Sequence, residues 1–149
     1  MEKPTLSDAA LYYLAEARKW ARFISIVMFV MIGLMILIGF MMGAIMDTLT
    51  SFSDQPKMPF SGGFFMVFYI IMAAIYFFPV FYLYKFSENL GRALNTGSEA
   101  DLASAFDFLK RHYKFIGILT IVGIAFMVLA FFAAILGSFF GLMGGSGMV

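Results

Sequence analysis

Few residues in this 149-residue chain have the chemistry of a catalytic or metal site. His112 is the single histidine and there is no cysteine, so disulfides, thiolate metal sites and thiol catalysis are excluded. An imidazole metal centre would lack the several ligands it needs. His112 stands among Arg111, Tyr113 and Lys114 with no carboxylate beside it, and is expected to be an interfacial side chain rather than a general base. Asp47, beside Thr48 and Thr50, has no second acidic residue near enough to build an oxygen cage, and suits a solvated helix end better than a cation site. Glycine-rich phosphate loops, HExxH and the serine nucleophile elbow are absent. The expectation is a non-enzyme with no cofactor and no metal. One constellation could hold a small molecule: Tyr69 and Tyr76, seven residues apart on one helical face, followed by Pro79, which cannot donate to the carbonyl of Ile75. Such a kinked, tyrosine-bearing helix could line a pocket for a lipid or quinone-like molecule. The alternative is a tilted span whose two hydroxyls bond to neighbouring helices.

The elements that must position these residues are dictated by composition. Hydrophobic residues make up 62% of the chain, aromatic residues 19% and charged residues 13%, well outside what a soluble core absorbs. The net charge of +1 gives no reason to expect a nucleic-acid partner. Three runs, Phe23 to Met46, Phe60 to Tyr84 and Phe115 to Phe140, contain no Asp, Glu, Lys, Arg or His. Each exceeds the ~20 residues a helix needs to cross the hydrocarbon, and a helix satisfies its backbone without burying charge. The expected fold is an all-α membrane protein whose first partner is the lipid bilayer, with spans over 22–46, 61–84 and 115–141. The first run is too long for a signal-peptide core and is expected to be retained as an anchor.

Basic residues set the orientation. Lys3, Arg18, Lys19 and Arg22 precede the first span, and Lys85, Arg92, Lys110, Arg111 and Lys114 lie between the second and third. Of the ten basic residues only Lys57 lies elsewhere. The positive-inside rule then predicts a cytoplasmic amino terminus, a cytoplasmic segment over 85–114, an outer loop over 47–60 and an outer tail over 142–149. Residues 5–20 are expected to form an amphipathic helix lying at the interface. Thr5 and Asp8 would cap it, Leu6, Ala10, Tyr13, Ala17 and Trp20 would form its apolar face, and Arg18, Lys19, Trp20 and Arg22 would anchor it. Gly39 and Gly43 near the end of the first span, and Ala133, Gly137 and Gly141 near the end of the third, have the small-xxx-small spacing of close helix packing, within one chain or in a homo-oligomer.

The segment over 85–114 has the pattern of a helical hairpin that extends spans two and three. Phe86, Leu90, Ala93 and Leu94 face Leu102, Ala105, Phe106, Leu109 and Tyr113. Asn95, Thr96 and Gly97 supply a stop, and Ser98 with Asp101 restarts a helix. Glu88 four before Arg92, and Asp107 four before Arg111, are favourable pairs on the outer face, and these four residues are the candidates for docking a membrane-protein partner. A small scaffold or accessory protein acting by binding is the expected function, with a homo-oligomeric pore or an intramembrane lipid or quinone binder as the alternative. Spans without ionisable groups disfavour coupled transport. The stretches EARKWARFISIV, FFPVFYLYKFSENLGRAL and DLASAFDFLKRHYKFIGIL resemble, over nearly the whole chain, a small family of bacterial membrane proteins of unknown function, found largely in the Bacteroidota. That resemblance rests on Lys19, Trp20, Pro79, Tyr82, Leu83, Lys85, Phe86, Leu109, Lys110, Tyr113, Lys114 and Phe115. It implies a multi-pass protein of the bacterial inner membrane and no particular activity.

Overall fold

The computed structural model describes residues 7–52 and 62–144, with side chains as far as 139. Three helices follow one another: α1 over Asp8–Phe52, α2 over Gly62–Thr96 and α3 over Glu99–Gly144. All three are long and apolar enough to cross a membrane. At 1.5 Å per residue, the 45 residues of α1 extend to roughly 68 Å and the 35 of α2 to roughly 52 Å. Both exceed the ~30 Å of a hydrocarbon core, so each carries a polar extension beyond its apolar run.

The chain divides into two units, Met1–Tyr113 and Lys114–Val149. In the first unit α1 and α2 pack along their length, and the first turns of α3 return along α2. Its core lies among the polar extensions. Ala21, Phe86, Leu90 and Ala105 are buried, with Leu14, Leu83, Leu94, Leu102, Phe108 and Leu109 packed around them. The second unit is a single apolar helix. Its polar side chains Thr120 and Ser138 donate to the carbonyls of Ile116 and Ala134 one turn back, which satisfies a hydroxyl in hydrocarbon without a partner helix.

Two expectations are revised. Residues 8–20 do not form a separate helix that turns at the membrane: α1 runs unbroken from Asp8 to Phe52. Its first four turns stand against α2 because Leu14, Arg18 and Ala21 lie on one side, where Arg18 Nε donates to the Ser87 carbonyl at 3.2 Å. The helix is capped by Ser7, whose Oγ accepts from Ala10 N at 3.3 Å. Thr5 and Leu6, placed in the cap and the apolar face, lie outside the described residues. At the other end α1 continues to Phe52, so the first residues of the expected 47–60 loop are helical. The rest of that loop, with Lys57, lies outside the described residues.

Candidate functional site

The turn between α2 and α3 is two residues long, and each has a defined job. Gly97 adopts φ 68° and its N–H donates to the Ala93 carbonyl at 2.9 Å, a left-handed helix stop that a residue without Cβ takes at little cost. Ser98 caps α3 by accepting from Asp101 N at 3.2 Å. From this turn α2 and α3 run back antiparallel, and polar groups fix their register. Asn89, 3% exposed, donates from Nδ2 to Ser104 Oγ at 3.2 Å and accepts from Arg92 Nη2. Arg92 also reaches across to Asp101, Nε to Oδ1 at 3.5 Å. The amide and the guanidinium thus tie α2 to α3 at two levels.

Of the four candidate docking residues, none is a free charge. Glu88 takes Lys85 Nζ at 2.8 Å and lies 3.8 Å from Arg92 Nη1. The Lys85 hydrogen bond holds its carboxyl below the usual carboxylate range against a smaller opposing effect of burial, with Lys85, Arg92 and Arg22 adding their positive charge. Arg111 grips Asp107 through Nε and Nη2, both at 2.8 Å, and its guanidinium lies over the Phe108 ring, 5.7 Å from the centroid. Lys110 is 3.8 Å from the same carboxylate. Glu88 and Arg92 belong to α2, Asp107 and Arg111 to α3, and Asp101 is the acid that joins the helices.

Of the expected α3 stripe, Leu102, Ala105 and Leu109 pack in the core, but the other two members turn outward. Phe106 and Tyr113 are exposed, at 45% and 65%. Phe108 and His112 take the inner positions instead, Phe108 against the Tyr82 ring at 6.4 Å. The reason is register: contacts at Asp101, Ser104, Phe108 and His112 follow the i, i+3, i+4 rule from the turn, and that line passes through His112 rather than Tyr113. His112 is accordingly buried rather than interfacial. Its Nδ1 lies 2.7 Å from the carbonyl oxygen of Pro79. A carbonyl can only accept, so Nδ1 carries the hydrogen. Pro79 is six residues inside Lys85 along α2, about 9 Å at 1.5 Å per residue. An imidazole therefore reaches the level of an apolar span that contains no ionisable residue of its own.

The remaining candidates separate. Gly39 and Gly43 are buried against α2: a Cβ on Gly39 would come within 2.6 Å of Tyr69 Cβ, and one on Gly43 within 3.1 Å of the Gly62 carbonyl. Ala133 and Gly137 lie on the helix of the second unit, and Gly141 falls beyond the described side chains. Tyr69 packs on Gly39, whereas Tyr76 is 42% exposed, and among the described residues neither hydroxyl makes a hydrogen bond. Pro79 is buried within an α2 that continues through it. Two contacts escape a sequence reading. Arg18 lies against Gly91, where a Cβ would collide with the guanidinium. Asp47 Oδ1 accepts from Gly62 N at 3.0 Å and so caps α2 from the neighbouring helix, which suits a carboxylate at a helix amino terminus. Asn89 carried a signal, a polar residue in line with the apolar stripe; Arg18 and Asp47 act across helices and carried none.

Three apolar helices of spanning length, two joined by a polar hairpin, define a multi-pass helical membrane protein by length and composition. Residues 62–135 match the model of a family of unknown function (DUF5362). The matched stretch runs from the start of α2, through the turn, into α3, and leaves α1 outside. The wider resemblance drawn from the sequence is thus supported for the hairpin and its two spans. No curated protein and no solved structure gives a significant match to the chain.

Proposed function

We propose that the protein is a small integral membrane scaffold or accessory subunit that acts by binding, and that the surface of its hairpin is the docking element. One observation carries this: the polar extensions of α1, α2 and α3 form a head with its own buried core, in which Leu90 and Ala105 are fully enclosed, while paired charges face outward. Arg92, Lys110 and Arg111 keep side-chain exposures of 54%, 77% and 56%. A folded head with fixed, solvent-facing ion pairs is suited to recognising another protein's charge pattern. The distribution of basic residues favours a cytoplasmic head, and the family resemblance favours a bacterial inner membrane.

Removing all four docking residues would also unpick the head, since Arg92 bridges two helices. The cleaner test exchanges Asp107 and Arg111. The pair is retained in reverse order, at a cost of a few tenths of a kcal/mol, and the outward charge pattern inverts. Site-specific photocrosslinking from position 103 in native membranes should give a discrete adduct with the natural protein that disappears in the exchanged variant. An unchanged adduct, or none from any exposed position on α2 and α3 of the head, refutes docking there. Reconstituted protein should leave liposomes tight to ions, and selective flux would favour the pore.

A further inference from the structure

The basic residues of the head fall into two groups. Lys85, Arg92, Lys110 and Arg111 each have a carboxylate within 4 Å. On α1, Arg18 donates to a backbone carbonyl, and Lys19 and Arg22 form no ion pair among the described residues. Lys19 and Arg22 are three residues apart on α1, with Lys19 between Arg22 and Phe23 around the helix, and Arg22 is turned toward Glu88 of α2, to which it adds its positive charge. Beside them an open groove of about 650 Å³ is lined by Tyr12, Ala15, Glu16, Lys19, Trp20 and Phe23. Trp20 and Phe23 are 60% and 59% exposed and meet edge to face at 6.1 Å.

The groove's level along the molecule is fixed by contacts on either side of it. Arg18 meets Ser87 and Phe29 meets Tyr84, so residues 19–23 stand beside the point where the apolar run of α2 gives way to Lys85. The groove therefore opens where hydrocarbon meets headgroups, and its Phe23 end runs directly into the apolar surface of α1.

We propose that this groove is a binding site for an anionic phospholipid. Lys19 in the groove holds the phosphate with Arg22 adding its charge from the groove's edge, Trp20 lies along the glycerol region at the depth indole prefers, and the acyl chain follows Phe23 down the span. Glu16, one turn farther from the apolar run, repels the phosphate from that end and confines it to the Lys19–Arg22 end. A soluble phosphate has no use for the aromatic half of the site, whereas a lipid occupies both halves. Lys85, Arg92, Lys110 and Arg111 are excluded from this role because acids on their own helices already pair with them.

Trp20 is the only tryptophan, so the protein carries its own probe. The full chain is reconstituted in vesicles of phosphatidylcholine and phosphatidylglycerol, with bromine on the acyl chains of one lipid at a time, and quenching of Trp20 reports which lipid stands beside it. Near an anionic surface each basic residue contributes about five-fold in association. Phosphatidylglycerol should therefore be enriched at least about five-fold beside Trp20 over its bulk fraction. K19Q/R22Q, at two exposed positions, should bring the ratio to the bulk value with the circular dichroism of the helices unchanged. R111Q should leave the enrichment intact, and so should added inorganic phosphate. Quenching that follows bulk composition in the natural protein overturns the proposal. So does enrichment that survives K19Q/R22Q, is lost equally in R111Q, or is abolished by inorganic phosphate.

Discussion

Glycines at two contacts of α1 with α2 show how one residue type has opposite sensitivities according to what it faces. A Cβ on Gly39 would meet Tyr69 Cβ at 2.6 Å, an atom tied to the opposite backbone that cannot swing aside, so the helices must separate. Gly39→Ala should cost about 1–3 kcal/mol in an SDS-titration measurement of unfolding. At Gly91 the obstacle is the guanidinium of Arg18, the far end of a flexible side chain. Gly91→Ala gains about 1 kcal/mol of helix propensity and loses the Arg18 hydrogen bond to Ser87, worth about 1.5–3 kcal/mol for a charged donor. It should therefore lie within roughly 2 kcal/mol of the natural protein on the destabilised side, and clearly milder than Gly39→Ala if Arg18 finds water. Glu88 gives a pH signature. Its carboxyl is held below the usual range chiefly by Lys85, so it contributes stability that is present above the unfolded value of about 4.3 and is lost as pH falls through the lower folded value. At 39% side-chain exposure the effect is screened. Glu88→Gln should lower the unfolding midpoint slightly near neutrality and converge with the natural protein in acid; a constant offset at all pH would refute the linkage.

At the scale of helices, the punctuation of the hairpin was legible in the sequence, because Gly97 and Ser98 act through their own backbone neighbours. The inner face of α3 was legible only in part, through Leu102, Ala105 and Leu109. Phe106 and Tyr113 outrank Ser104 and His112 in hydrophobicity, yet register from the turn selects Ser104 and His112, and a partner helix supplies what those polar groups need. The same limit hid the docking of α1 on the head, since the pattern of residues 8–22 identifies an apolar face without saying whether lipid or protein covers it. The two polar ties of α2 to α3, Asn89 with Ser104 and His112 with Pro79, are ten residues apart on α2, about 15 Å. Asn89→Ala removes a buried amide with two partners and should cost about 1–3 kcal/mol, whereas His112→Phe keeps ring volume and loses one bond, about 0.5–1.5 kcal/mol. At that separation the losses in the double variant should add to within about 0.5 kcal/mol. A clearly non-additive result would show that the zipper closes as one cooperative contact.

For the molecule as a whole, the total charge of +1 conceals an uneven division of basic residues, on which the proposed orientation rests. The structure places Arg18, Lys85, Arg92, Lys110 and Arg111 in one head, where Arg18, Arg92 and their partners are part of the folded packing. The proposed orientation and the folding of the head thus draw on the same basic residues. The end of α1 away from the head, by contrast, carries Asp47, Thr48, Thr50 and Ser51, whose hydroxyls bond to their own helix and whose one carboxylate caps α2. In the proposed orientation this cation-poor end is the one that crosses, because moving the head would carry its whole set of basic residues through the bilayer. Absence of cysteine makes the consequence directly measurable. In intact bacterial spheroplasts a membrane-impermeant maleimide should label Ser51→Cys and spare Asn95→Cys, both at exposed positions, and permeabilisation should expose Asn95→Cys. Labelling of Asn95→Cys alone in intact cells would place the head outside and overturn the cytoplasmic assignment, leaving the head's folding and its ion pairs untouched.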